Sequence, residues 1–432
     1  MTQNKRGVFR GWLVVAVSML GMSTCPGPFV FGSFGLFMLA LQREFGWGRA
    51  DLSLALTGLT ISSALALPIV GRMIDRVGAR RIQLASMAAL AACLVAIPLI
   101  VREIWHLAVI LFVLGALAAA TNGVAYMQVI SAWFYRKRGL AIGLVMAGTG
   151  MGYAYVPVLV RYLIDAYSWR TAYFVLAGIV AFIALPLVYA WMRESPRELG
   201  LRPDGDPPDA SPPAETSRDV GLELAEILRR REFWILVCVL IVLSFALHGL
   251  LAHLVPMLVD RGMSSATAAT VAAVEGVTVM LARILVGHLM DRFFAPRVAM
   301  TFFVLSALGL VVFATGAVEG LAFLAAILVG LSLGAEVDMV AYLAGRYFGL
   351  KSFGATFGLL FGSVLVGITL GPVAFGYTYE SMGSYVDVLW VSAGFNVLAI
   401  VLMALLGPFP DWRSVARDTS VSARAEAKPE AG

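Results

Sequence analysis

Charge is scarce in this 432-residue sequence: Asp, Glu, Lys and Arg together make up 14% of it, against 60% hydrophobic residues. A water-soluble body of this length needs more polar surface than that. Cysteine is scarcer still. Cys25, Cys93 and Cys238 lie far apart, each inside an apolar run, which gives no ground for a disulfide framework or a metal site. No GxxxxGK[ST], HExxH or CxxC run occurs, which argues against an ATP-driven pump or a membrane metalloprotease. No catalytic constellation and no cofactor site are expected. The formal net charge of +5 is not a nucleic-acid signal, because the cations cluster in alternate loops.

What the chain has instead is a series of apolar runs about 20 residues long, the length that crosses a bilayer core. Twelve spanning helices are expected, at 11–40, 51–73, 80–100, 105–134, 139–163, 170–192, 232–259, 265–290, 297–316, 320–347, 353–379 and 384–407. The fold class is an all-α, multi-pass membrane protein. The basic N-terminus, with Lys5, Arg6 and Arg10, precedes a run too long for a signal-peptide core. Arg72, Arg76, Arg80 and Arg81 mark the second–third connection; Arg136, Lys137 and Arg138 mark the fourth–fifth. The central loop holds Arg193, Arg197, Arg202, Arg218 and the run Arg229 to Arg231. The positive-inside pattern therefore puts both termini and the central loop in the cytoplasm. Segment 193–231 is rich in Pro, Asp and Ser, so it is expected as a linker, with an interfacial helix over Leu222 to Arg231. It divides a six-helix bundle at 1–192 from a second at 232–410, and a polar tail, 411–432, is expected to be disordered.

The two halves repeat. Gly71-xxx-Asp75-Arg76 matches Gly287-xxx-Asp291-Arg292, and Trp12 to Gly27 has the spacing of Trp234 to Gly249. Gly139-xxx-Gly143 leading to Pro157 matches Gly354-xxx-Gly358 leading to Pro372, and Trp133-Phe134 matches Tyr347-Phe348. Such pairs, in one order, imply a six-helix unit used twice.

The run GRMIDRVGARR, with Gly71, Asp75, Arg76, Gly78, Arg80 and Arg81, resembles the loop 2–3 signature of the major facilitator superfamily. The second copy, after Arg292, is degraded. The resemblance implies two six-helix pseudo-repeats, a solute site between the halves, and a gating role for Gly71, Asp75, Arg76, Asp291 and Arg292. A narrower resemblance is to the bacterial monocarboxylate porter and oxalate/formate exchanger branch. It rests on Gly11-Trp12 opening helix 1, Phe45-Gly46-Trp47-Gly48-Arg49-Ala50, Ser168-Trp169-Arg170, the segment Ser195 to Gly205, and Arg283-xxx-Gly287 in helix 8. It implies a secondary transporter, integral to a bacterial inner membrane, in which Arg283 meets a substrate carboxylate. Two departures stand out. Animal porters have an aspartate one turn before that arginine, where this chain has Val279, and a lysine in helix 1, where this chain has no charge.

Four carboxylate or guanidinium groups lie well inside predicted spans: Glu275, Arg283, Glu336 and Asp338. A charge at that depth is costly and usually faces a bundle interior or wet cavity. Arg283 is a candidate anion anchor, since its planar fork fits a carboxylate. The structural alternative is an ion pair holding helix 8 to helix 10. Glu336 and Asp338 are candidate proton carriers at the same level. Two residues apart, they point to nearly opposite sides of helix 10, so at most one faces the cavity centre. Glu275 is more readily structural. His248 is a candidate donor or relay, with a packed polar histidine as the alternative, and His253 is weaker. Asn122, at the repeat position of Glu336, and Tyr126 one turn on are candidate neutral donors, or inter-helix hydrogen bonds. Cys25-Pro26-Gly27-Pro28 is expected to break helix 1.

The expected function is proton-coupled transport of a small organic anion by alternating access, in a monomer. An exporter of drugs or metabolites on the same fold and a non-transporting sensor are the competing readings. The isolated Pro157 in helix 5, with Gly371-Pro372 in helix 11 instead, counts against the exporter. The topology has a direct test. A cysteine placed at Ser211 is expected to resist an impermeant thiol reagent in intact cells and to react after permeabilisation; labelling from outside would reverse the orientation.

Overall fold

The computed structural model describes residues 9–134, 137–205, 221–349 and 351–410. Among them the regular structure is helical, apart from one isolated backbone bridge between Gly221 and Gly349. A helix satisfies its own N–H and C=O groups within one segment, which hydrocarbon requires. The first half contributes α1 (Arg10–Phe45), α2 (Arg49–Val77), α3 (Ala79–Ile100), α4 (104–133), α5 (Arg138–Ala166) and α6 (Trp169–Trp191). The second contributes α7 (Arg231–Asp260), α8 (Ser265–Arg292), α9 (Ala295–Ala314), α10 (Glu319–Phe348), α11 (Phe353–Met382) and α12 (Val386–Ala404). Eleven of these are long and apolar enough to cross a membrane; α4 is the exception.

Two of the spans, α1 and α4, break between helical segments, and α6 passes through a wide turn over Ile179–Ala184 without breaking. In α1 the regular helix stops at Ser23, and a wide turn over Gly27–Phe31 leads into Gly32–Phe45. Pro26 and Pro28 cannot donate to the preceding turn. The Ser23 and Thr24 hydroxyls donate back to the Leu20 and Gly21 carbonyls, at 2.7 and 2.9 Å. The break in α4 was not expected: 105–134 reads as one apolar run. The helix ends at Leu117, passes through a tight turn at Ala119–Asn122 and resumes at Val124–Trp133. Gly123 sits at φ +109°, a backbone that a side chain would resist. The interfacial helix expected over Leu222 to Arg231 is one turn, Leu224–Ile227, after which α7 begins at Arg231. The middle of the linker (206–220), Lys5 and Arg6, Arg136, and the tail from 411 on lie outside the described residues.

The face that carries the α6–α7 linker is termed the linker face; the other is the far face. The halves meet along α5 against α8, α2 against α11, and the second segment of α1 against α7. From mid-helix to the far end the backbones touch. A Cβ on Gly150 would lie 2.4 Å from the Met280 nitrogen, and one on Gly276 would lie 2.3 Å from the Tyr153 carbonyl carbon. Toward the linker face, a Cβ on Gly354, Gly358 or Gly362 of α11 meets nothing within 4 Å. The helices therefore splay from a shut far end to an open linker end.

Polar bonds lock the far end. Arg49 at the start of α2 is buried and donates to both oxygens of Asp260 at the end of α7, at 2.5 and 2.9 Å. It also donates to the Tyr385 hydroxyl at 2.6 Å and lies 3.8 Å from the centre of the Tyr379 ring. The Ala50 N–H donates to Glu380 at 2.8 Å. His253 of α7 lies within hydrogen-bonding reach of Ser53 (3.0 Å), the Pro372 carbonyl (2.9 Å) and the Tyr385 hydroxyl (3.1 Å). The Arg49, Ala50 and Ser53 bonds tie the first half to the second, and the other two His253 contacts lie within the second half.

The glycine contacts make this closure testable. Gly276→Ala puts a methyl group into the α5 backbone, and overpacking of this kind costs about 1–3 kcal/mol. Ser53 is fully buried in the closed far end. In purified protein lacking its native cysteines, a cysteine at Ser53 is expected to react with a thiol reagent several-fold faster when Gly276→Ala is also present. Unchanged reactivity in a folded double variant would mean that the α5–α8 contact does not govern the far-side gate.

Candidate functional site

Between the halves lies a cavity of about 810 Å³ that reaches from mid-helix toward the linker face. The α1 break supplies Cys25, Pro26 and Gly27 to its wall, α4 supplies Asn122, α7 supplies His248 and α8 supplies Arg283. Among the described residues on its wall, Arg283 is the one Asp, Glu, Lys or Arg side chain.

Arg283 is only 8% exposed. Its Nη1 lies 3.5 Å from an Asp338 carboxylate oxygen, an ion pair without a hydrogen bond. Neither Nε nor Nη1 has a hydrogen-bond partner among the described residues, and the second Asp338 oxygen also lacks one. A guanidinium carries five N–H donors in a fixed fork. Arg283 therefore lines the cavity while holding its counter-ion at arm's length, and two of its nitrogens are buried behind the wall with their donors unspent.

Glu336 points the other way round α10. It is buried and accepts a hydrogen bond from the Ser244 hydroxyl of α7, with His248 Nδ1 3.8 Å from its other oxygen. His248 Nδ1 lies 3.2 Å from the Ser244 carbonyl, an acceptor, so that nitrogen carries the proton of this bond. Asp338 is thus the acid beside Arg283, and Glu336 ties α10 to α7. Sequence spacing separated the two acids but did not say which would take which side.

The structure brings Arg283, His248 and Asn122 to the cavity and leaves Tyr126 out of it. Tyr126 is fully buried inside the first half, where Gln83 donates to its hydroxyl at 2.8 Å. The left-handed backbone at Gly123 turns α4 between Asn122 and Tyr126, so one helical turn of spacing no longer keeps them on one face. Glu275 is also off the cavity. It is 1% exposed where α8 packs on α5 and α10, beside Gly330, and neither carboxylate oxygen has a partner among the described residues. At the linker face Gly71 meets nothing within 4 Å, and Arg76 and Arg292 are exposed. The side chains of Asp75 and Asp291 lie outside the described residues.

Several site residues were not legible beforehand. Tyr153 and Thr149 of α5 and Thr60 and Ser63 of α2 line the cavity, and so do Phe357 and Phe361 of α11. A hydroxyl or an aromatic ring in an apolar helix looks the same whether it faces core, lipid or cavity. Arg49 stood in the sequence only as part of the Phe45 to Ala50 segment, with nothing to mark it as a latch.

A helical bundle of two six-helix halves with a cavity between them is the architecture of a polytopic membrane transporter. The model of the major facilitator superfamily matches residues 11–349 and 254–429, so the chain belongs to that superfamily. Among curated relatives, an uncharacterized 38 kDa protein in the 23S RNA operon of Thermoproteus tenax is 27% identical over 381 residues, 87% of this chain and 90% of that protein. Monocarboxylate transporter 11 of Homo sapiens is 26% identical over 391 residues, 87% of this chain and 78% of its own length. Monocarboxylate transporter 12 of Xenopus laevis is 22% identical over 440 residues, 94% and 92% of the two chains.

The partnerless Glu275 generates a stability prediction. Burying a polar group without a hydrogen bond costs about 1–3 kcal/mol on the protein mutational scale. Glu275→Met keeps the shape and removes that cost, so it is expected to raise the melting temperature of the purified protein by a few degrees. A clear fall would mean that Glu275 has a stabilising partner in the state that dominates in solution.

Proposed function

We propose that this chain is a secondary transporter of organic anions, in which Arg283 binds the carboxylate of the solute and α10 couples its movement to protons. The observation that carries the proposal is Arg283 at the cavity wall, with a counter-ion that is near but not hydrogen-bonded and two buried donors without a partner among the described residues. A carboxylate accepts two parallel N–H bonds from such a fork, a stronger arrangement than the 3.5 Å pair with Asp338. The arriving anion competes with Asp338 for Arg283. Asp338, released from its cation in a half-buried position, is then the group that takes up a proton. Glu336, with Ser244 and His248, is the second candidate in the coupling scheme. Asn122 supplies a neutral amide to the same cavity. The names of the relatives, monocarboxylate transporters at 22–26% identity, agree with a carboxylate solute.

The proposal includes cytoplasmic termini and linker, following the cation-rich loops, a monomeric unit in a bacterial inner membrane, and two six-helix halves joined by 193–231. The open linker end is then the inward-facing state. Alternating access requires the Arg49–Asp260 latch to break as the linker end closes.

Arg283→Lys keeps the charge and loses the fork. Losing one charge-assisted bond costs about 1.5–3 kcal/mol, or roughly ten- to a hundred-fold in solute affinity. Arg283→Ala is expected to abolish carboxylate transport in proteoliposomes while the protein still inserts. Asp338→Asn is expected to lose pH-driven accumulation and to keep counterflow exchange; if it accumulates normally and Glu336→Gln does not, coupling lies with Glu336. Full transport in the double variant Arg283→Ala, Asp338→Asn would show that the arginine serves only to hold helices together, and the anchor role would have to be abandoned.

A further inference from the structure

The α11 wall of the cavity carries a repeat of its own. Phe353-Gly354, Phe357-Gly358 and Phe361-Gly362 recur every four residues, the spacing that places side chains one above another on a helix face. The three rings stack, with centroids 6.0 and 5.8 Å apart and planes within 17° and 16° of parallel. The adjoining glycines leave open space, since a Cβ on any of them meets nothing within 4 Å. Ring and gap together make a groove. Met22, Met127 and Met146 of the first half line the same cavity. Thioethers are flexible and polarisable, and make favourable contacts with aromatic rings.

The groove runs toward the arginine. Phe361 lies eight residues into α11 from the linker face and Arg283 nine residues from the linker-face end of α8, so both are about 12–14 Å deep at 1.5 Å per residue. An anion held by its carboxylate at Arg283, with its body extended toward the linker face, shares the cavity with the Phe357 and Phe361 rings. Acetate has four non-hydrogen atoms, and even at a water's share of about 30 Å³ for each it would occupy only a small part of this space. A solute with an apolar body displaces that water from aromatic and thioether surface, a favourable exchange.

We propose that the solute is an amphipathic carboxylate, one anionic head joined to an aliphatic or aryl body of several carbons, and that Phe357 and Phe361 select it by that body. The proposal rests on Arg283 as the anchor of the head. Binding of acetate, butanoate, hexanoate and 3-phenylpropanoate to the purified full-length protein tests it by calorimetry, with hexanamide as the uncharged control. Affinity is expected to rise about three- to fourfold for each added methylene, the factor that ~0.8 kcal/mol converts to. Phe357→Ser and Phe361→Ser are expected to flatten that rise, lowering the ratio of hexanoate to acetate affinity several-fold. Affinity that is level or falls from acetate to hexanoate overturns the proposal while leaving the Arg283 anchor in place. An undiminished rise in both serine variants overturns the role of the rail. Hexanamide binding as tightly as hexanoate, or no acid binding at all, removes the carboxylate anchor itself and the proposal with it.

Discussion

A guanidinium in a hydrocarbon layer must be given partners or water, because a bare charge at that depth is expensive on every scale. Arg283 receives both in small measure: an acid 3.5 Å away and a cavity wall. That compromise organises the centre of the molecule. α8 must face α10, where Asp338 lies, and must also face the gap between the halves. The break in α1 and the glycine turn in α4 bring Cys25 to Gly27 and Asn122 to the same space. A closer pair would have bound Arg283 into the scaffold, and a more distant one would have left it without a counter-ion.

The cavity exists because the same helices are packed at one end and parted at the other. Glycines at 150 and 276 let α5 and α8 touch backbone to backbone at mid-helix. Small residues at helix crossings are how membrane helices approach, since lipid offers little hydrophobic drive for association. Arg49 with Asp260 and Tyr385, and His253 with Ser53, add directional bonds between the halves at the far end. Those bonds join residues of the two halves and leave each half internally intact. They belong to one arrangement of the halves, which is what a two-state gate needs.

The acids show a division of labour between stability and site. Glu336, hydrogen-bonded to Ser244 and close to His248, fastens α10 to α7. Asp338, two residues on, faces Arg283. Glu275 sits apart, shut between α8, α5 and α10 without a hydrogen bond among the described residues. Three buried or half-buried carboxyl groups thus meet three environments, set by the helix face and the level each occupies.

The sequence by itself determined the helical class, because runs of about 20 apolar residues have one stable form in lipid. It determined the twofold repeat, the break at Pro26 and Pro28, and the rarity of intramembrane charge that singled out Arg283, Glu336 and Asp338. Periodicity along a helix orders side chains about that helix's own axis. It does not fix the rotation of the helix against its neighbours, nor contacts between residues far apart in the chain. The tertiary structure alone therefore decided that Asp338 is the acid at Arg283, that Tyr126 turns inward to Gln83, and that Arg49 reaches Asp260, 211 positions away. The α4 break was hidden for a related reason: one glycine in an apolar run is compatible with a straight helix, and only its packed neighbours hold Gly123 at a positive φ.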